Sequence, residues 1–278
     1  MTAPTQEQID GLVNLALEED LGTGDITTDG ILDQETTVTG TVTAKEPLVL
    51  CGLDIFRRVF SILDPQVSFP EIPFKDGDEV PSQGTIIHVR GKISALLKGE
   101  RTALNILQRL SGIASLTRKY VETAHPVTIL DTRKTTPGLR VFEKYAVRCG
   151  GGTNHRFGLF DAVLIKDNHI KIAGGITEAI RRIRRNCTGK IEVETVNLMQ
   201  VREAIENKAD IIMLDNMETD ILKQAIQMIG DQARVEVSGM VKLENLEELK
   251  ALGMNFLSIG ALTHSARSVD ISMNLDSG

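Results

Sequence analysis

Cysteine is scarce in this chain. Cys51, Cys149 and Cys187 form an odd, scattered set without CxxC spacing, which excludes a tetrahedral zinc site made from cysteine alone and suits reduced thiols in a cytoplasm. Long apolar runs are also missing. PLVLCGLDIF (47–56) is cut by Asp54 and falls short of the roughly 20 residues of a membrane span. The opening MTAPTQEQID has neither a basic n-region nor an apolar h-region, so no secretory signal is expected. Positive charge is not in excess: 31 Lys plus Arg face 38 Asp plus Glu, a net charge of −7. That balance argues against a protein built to coat nucleic acid or an anionic membrane. No GxGxxG follows a strand-like run, and no GxSxG elbow is present, which removes support for dinucleotide binding and for Ser–His–Asp hydrolysis. What remains is ordinary globular composition, 41 % hydrophobic and 25 % charged over 278 residues. Such a length holds either one large α/β unit or two modest domains.

The pattern changes part-way along the chain. QEQIDGLVNLALEED (6–20) sets Ile9, Leu12, Val13, Leu15 and Leu17 mostly at helical spacing and predicts a helix ending before Leu21–Gly22. From about Val38 to Arg90, short β-branched runs alternate with Gly, Pro and Asp, as in strands joined by turns. The stretch 100–124 carries a helical stripe through Leu104, Leu107 and Leu110, with Gly112 as the expected break. Six apolar runs follow, VTIL, AVLI, IEV, IIML, VEV and FLSI, each ending in polar residues. Measured between Arg133, Lys166, Glu194, Asp215, Ser238 and Gly260, the spacings are 33, 28, 21, 23 and 22 residues. One strand plus one helix takes about that length, so this half predicts βα units on a parallel sheet. Six strands are too few for a closed barrel, and the expected fold is an open, incomplete TIM-like α/β barrel.

In such barrels functional side chains project from the C-terminal strand ends. Here those ends carry Arg133 and Lys134, Lys166, Glu194, Asp215, Ser238 with Gly239, and Gly260. Residues 131–171 hold eight Lys or Arg and four acids, a +4 island in a chain whose remainder is −7 − 4 = −11. With His155 and Arg156 inside it, that island predicts a pocket for a small polyanion. Arginine's rigid fork suits carboxylate or phosphate. Ser238–Gly239 and Gly260–Ala261 in late loops suit a phosphate cup built from backbone N–H groups. Glu194 and Asp215 end neighbouring strands and could serve either as Mg²⁺ ligands through water or as a general acid/base pair. Lys166 at a strand end also permits a Schiff-base aldolase, and a non-catalytic phosphate-binding barrel is the blander alternative.

Seven segments together carry a family resemblance: EDLGTGDITT (19–28), GERTALNILQRLSGIAS (99–115), DTRKTTPGLR (131–140), KYAVRCGGGTNHRFGLFDAVLIKDNH (144–169), EVET (192–195), MLDN (213–216) and SIGALTHSA (258–266). They closely resemble the quinolinate phosphoribosyltransferases, the carboxylating nicotinate-nucleotide pyrophosphorylases of NAD biosynthesis. The resemblance implies an N-terminal α/β sandwich domain over residues 1–110 and a barrel over 111–265, with the tail 266–278 packing against the first domain. It implies transfer of phosphoribose from phosphoribosyl pyrophosphate to quinolinate with Mg²⁺, loss of CO₂, and release of nicotinate mononucleotide and pyrophosphate. It further implies a cytoplasmic homo-oligomer, dimeric or built from dimers, with sites shared between subunits. By motif position, Arg133, His155, Arg156 and Lys166 would bind the quinolinate carboxylates, and Arg101 would reach them from a neighbouring subunit. Lys134, Lys166, Glu194 and Asp215 would meet the ribose, pyrophosphate and Mg²⁺, and Lys134, Glu194 and Asp215 would carry the catalysis. Ser238, Gly239 and Gly260 would hold the 5′-phosphate. The family usually has a second glycine after Ser238–Gly239, where this chain has Met240.

Overall fold

The computed structural model describes residues 3–276. Among these, four strands precede the long central helix: β1 (Thr37–Ala44), β2 (Leu48–Val49), β3 (Glu79–Val80) and β4 (Thr85–Lys92). Six follow it as a repeating series: β5 (Thr128–Leu130), β6 (Val163–Ile165), β7 (Ile191–Thr195), β8 (Ile211–Asp215), β9 (Arg234–Ser238) and β10 (Phe256–Ser258). The last strand is β11 (Ile271–Leu275).

Two compact units divide the chain. One takes the residues up to Arg118, Thr136–Gly151 and those from Ser265 onward; the other takes Lys119–Thr135 and Gly152–His264. The residues from Ser265 onward thus fall with the first unit, and so do Thr136–Gly151, which interrupt the barrel series in the chain. Residues 136–151 join the first unit because their helix, Arg140–Cys149, is tied there by polar contacts. Its Tyr145 hydroxyl donates to Asp76 at 3.0 Å, and its fully buried Glu143 accepts from Arg109 at 3.0 Å. A buried carboxylate needs such a partner.

In the first unit, β1 is flanked by β11 and β4 in an antiparallel three-stranded sheet. The helix Gln6–Leu21 opens on a capping box. Gln8 N–H donates to Thr5 Oγ1, and the Gln8 side chain accepts from Thr5 N–H. Its buried Ile9, Val13 and Leu17 lie four residues apart on one face. Leu21 is its last residue, within one position of the sequence expectation.

The expected break at Gly112 is absent: a single helix runs from Ile93 to Ala124. Gly112 serves a different purpose. A Cβ there would lie 2.0 Å from the Arg267 carbonyl oxygen, so the glycine lets the returning chain pass directly over the helix backbone.

The second unit is one parallel sheet in the order β5-β10-β9-β8-β7-β6. Its core strand positions are Ile, Leu and Val, such as Ile129, Ile165, Ile191, Val193, Ile212, Leu214 and Leu257, all buried. The strands match the six apolar runs read from the sequence. The barrel is not closed: β5 and β6 are free of each other, and Thr153 bridges to Leu130 on the flank of β5. No helix of the described residues is long and apolar enough to cross a membrane.

Gly112→Ala is expected to destabilise the protein by about 1–3 kcal/mol, since overpacking outweighs the gain of about 1 kcal/mol in helix propensity. A urea unfolding curve checks this; an unchanged or raised midpoint would show that the Arg267 segment yields at no cost.

Candidate active site

Side chains alternate across a strand, so every second residue of a barrel strand faces the interior. That rule places Leu164 and Lys166, Glu192 and Glu194, Met213 and Asp215, and Glu236 and Ser238 on the inner face. The outer members of these pairs open into a cavity of about 540 Å³ at the C-terminal strand ends. Arg133, Lys134, His155, Arg156, Lys166, Glu194, Asp215, Ser238 and Gly239 all line it. Arg101 is in the other compact unit, exposed on the long helix, and is not among the lining residues. Gly260 is not among them either; it follows β10, and a Cβ on it would stand 2.9 Å from Lys134 Cδ.

The cationic side is under-neutralised. Arg133 Nε is buried and has no hydrogen-bond partner. Burial, followed by the positive charge of Arg133, draws the Arg156 guanidinium below its ordinary pKa. A guanidinium whose charge is disfavoured, beside a second one with an orphaned N–H, forms a site that an anion would stabilise. Lys166 is held by its Nζ donating to Glu194 Oε2 at 2.6 Å. Lys134 is anchored by its backbone: its N–H donates to Thr132 Oγ1 at 3.0 Å, and its carbonyl accepts from Thr263 Oγ1 at 2.8 Å.

Below the cavity, Glu192 and Glu236 form a layer that sequence reasoning did not single out, set against His155 of the lining. His155 Nδ1 accepts from the Arg156 N–H at 2.7 Å, which leaves the proton of a neutral ring on Nε2, directed at Glu192 Oε2 3.0 Å away. Glu236 Oε1 lies 3.7 Å from the same Nε2 and accepts from Ser258 Oγ. Both ring nitrogens of His155 are therefore engaged within the protein. In this conformation the imidazole fixes the backbone of Arg156, and it presents no open nitrogen as a carboxylate ligand. Asp131, fully buried, adds a second brace by accepting from Asn154 Nδ2 at 2.6 Å and from His155 N–H at 2.9 Å. Burial, then the neighbouring Glu192 charge, pushes the Glu236 carboxyl up to about 7. The signal in the sequence was a glutamate at the centre of an apolar run, in IEVE and VEVS; a buried acid there must have a partner.

The loops after β8 and β9 interlock. Asn216, in left-handed backbone at φ 52°, donates its N–H to Ser238 O at 3.0 Å and its Nδ2 to Asp215 Oδ2 at 2.8 Å. Gly239 has φ 79°, and a Cβ on it would lie 2.0 Å from Asn216 Oδ1, so only glycine fits. Met240 also stands in left-handed backbone, at φ 52°, where a glycine would be unstrained.

The donor set suits Mg²⁺ held through water. Glu194 and Asp215 put two carboxylates into a roomy polar cavity, and Mg²⁺ takes one or two carboxylates plus substrate phosphates while keeping several waters.

Residues 25–111 match the family described as quinolinate phosphoribosyl transferase, N-terminal domain, and residues 113–274 its C-terminal domain. This chain belongs to the quinolinate phosphoribosyltransferase family. Among curated relatives, a probable nicotinate-nucleotide pyrophosphorylase (carboxylating) of Bacillus subtilis is 43 % identical over 272 residues, covering 96 % of this chain and 93 % of the relative. One of the same description from Synechocystis is 44 % identical, covering 96 % and 92 %. The crystal structure of NadC from Streptococcus pyogenes superposes with a TM-score of 0.94 at 44 % identity, covering 99 % of both chains. The open barrel is thus the family's fold.

Glu236 makes stability depend on pH. Its folded pKa of about 7 exceeds the ordinary carboxyl value of 4.5, so the folded state binds the extra proton between those values. Its contribution to stability falls as pH rises through that window and stays low above it. Glu236→Gln should therefore gain in melting temperature relative to the parent on going from pH 5 to pH 8. A difference between the two proteins that does not change with pH would contradict the assignment.

Proposed function

We propose that the cavity at the strand ends is where quinolinate and phosphoribosyl pyrophosphate meet. The enzyme is a pentosyltransferase: it moves the phosphoribosyl group to the quinolinate nitrogen with decarboxylation, giving nicotinate mononucleotide, pyrophosphate and CO₂. The observation that carries the site assignment is the buried, unpartnered Arg133 Nε beside Arg156, because a dianionic acceptor supplies the oxygens that this donor lacks.

In this reading Arg133, Arg156 and Lys166 take the two carboxylates. The Lys166 ammonium has three donors, and its bond to Glu194 leaves two for the substrate. His155 acts behind them by holding the Arg156 backbone. Bond breaking at ribose C1 develops positive charge there and negative charge on the departing pyrophosphate. Glu194 and Asp215 face the first, and Lys134 faces the second. When bound, Mg²⁺ supplies charge neutralisation on the pyrophosphate. The backbone N–H groups around Ser238, Gly239 and Gly260 suit the 5′-phosphate, and the bond from Asn216 N–H to the Ser238 carbonyl keeps that loop in shape. Decarboxylation needs an electron sink, which the quaternised pyridinium provides itself.

Arg101 is exposed and lies outside the cavity lining, which supports its being offered to the site of a second copy in a homo-oligomer. Exposed Ile26, Phe160 and Ile172, at 91 %, 83 % and 81 %, give a second copy apolar surface to cover. Three free thiols fit a reducing cytoplasm.

The test is an assay with quinolinate, phosphoribosyl pyrophosphate and Mg²⁺ that follows CO₂ and nicotinate mononucleotide together, beside a sample with nicotinate as acceptor. Stoichiometric release of both products with nicotinate inert is expected. Arg133→Ala or Lys134→Ala should lower kcat/KM by about 10²-fold or more. Near-parental activity in either variant, or turnover of nicotinate, would overturn the pocket assignment.

A further inference from the structure

The reaction leaves one cluster of reactive side chains unused. Cys51, Asp76 and Cys149, all in the first compact unit, hold their sulfur and carboxylate ligand atoms within 4.8 Å of one another. The cysteines looked scattered because 149 − 51 = 98 positions separate these two in the chain.

Their backbones are pinned from several sides. Cys51 is fully buried; its N–H donates to Ser111 Oγ at 3.0 Å, and its carbonyl accepts from the same hydroxyl at 3.2 Å. Cys149 ends the helix Arg140–Cys149 and is partly exposed. Arg118 clamps that end, its Nε donating to Gly150 O at 3.2 Å and its Nη2 to Cys149 O at 3.5 Å. The same Nη2 reaches Gly77 O at 3.3 Å, beside Asp76. Between these fixed segments the two sulfurs lie within 4.8 Å of each other.

Asp76 is not spare. Its carboxylate accepts from Gly52 N–H, Leu53 N–H and Tyr145 Oη–H, three of the roughly four acceptor positions such a group offers. That leaves the sulfurs as the cluster's available chemistry, and two donors are too few for a closed metal site.

We propose that Cys51 and Cys149 are an oxidisable dithiol that closes to an intramolecular disulfide when it meets a small-molecule disulfide, R–S–S–R. From within 4.8 Å, the sulfurs must close to the bond length of about 2.05 Å. Cys149 attacks first: it is the more exposed of the two, and the neighbouring Cys51 thiol lowers its pKa, whereas burial raises that of Cys51. The attack forms Cys149–S–S–R and releases RS⁻, which takes up the proton Cys149 had given to water. The Cys51 sulfur then attacks the Cys149 sulfur. The Cys51–Cys149 bond forms, the Cys149–SR bond breaks, and the Cys51 proton leaves with the second RS⁻ as RSH. Two protein thiols are oxidised, and one R–S–S–R is reduced to two RSH.

The test treats the native full-length protein, and a Cys187→Ser variant, with bis(2-hydroxyethyl) disulfide. The remaining thiols are then alkylated in denaturant and the peptides mapped by mass. Two of the three parental thiols, and both thiols of the variant, are expected to disappear into a Cys51–Cys149 linked peptide. Dithiothreitol should restore them, and the oxidised form should melt at higher temperature because the cross-link restricts the unfolded chain. Cys149 ending as a stable mixed disulfide with Cys51 still free would overturn the proposal. So would both thiols surviving in the native protein while the denatured protein reacts.

Discussion

The site rests on an unresolved electrostatic demand. Parallel strands deliver their C-terminal ends to one mouth, and here those ends bring the guanidiniums of Arg133 and Arg156 together with the ammonium of Lys166. Each needs a counter-charge that the protein supplies only in part. One oxygen of Glu194 accepts from Lys166, and Arg133 Nε has no hydrogen-bond partner. The arrangement survives in the folded chain because packing elsewhere sustains it, as the buried apolar face of the parallel sheet does. An anion entering the cavity recovers the hydrogen bond that folding left unmade. Affinity for a dianion and the local cost of the empty site are two expressions of one geometry.

A second layer keeps that geometry rigid. Glu192 and Glu236 occupy inner positions one step below the cavity and engage His155 and Ser258 of its lining, and Asp131 braces the 154–156 segment. The His155 ring ties the Arg156 backbone to Glu192 on the inner face of the sheet. Preorganisation of this kind removes reorganisation from the reacting step. The bonds from Asn216 to the Ser238 carbonyl and to Asp215 do the same for the neighbouring loops, so both sides of the cavity are shaped by short polar bonds.

Much of this was legible in the residues. The six apolar runs became the six parallel strands because buried parallel strands leave a continuous apolar signature, and their polar ends marked the mouth. Nine of the eleven residues expected at the site line one cavity. What the pattern hid depends on contacts distant in sequence. Gly112 resembled a helix break, yet its missing Cβ answers to Arg267, which local propensity cannot reveal. The helix Arg140–Cys149 belongs with the first unit through Tyr145 and Glu143, although its place in the chain lies within the barrel series. Cys51 and Cys149 meet only in three dimensions. His155 stands out in the motif as a ligand, but the bonds of its ring to the next residue's N–H and to a glutamate on β7 do not show in the sequence.

The central claim is that the cavity selects an acceptor with two carboxylates because Arg133 and Arg156 are under-neutralised. Isothermal titration of the full-length protein with quinolinate and with nicotinate tests it most directly. One further charge-assisted hydrogen-bonded carboxylate is worth roughly 1.5–3 kcal/mol, so quinolinate should bind about tenfold to a hundredfold more tightly. That preference should shrink as salt is raised and vanish in Arg133→Ala. Equal affinity for the two ligands, or a preference that persists without Arg133, would contradict the account.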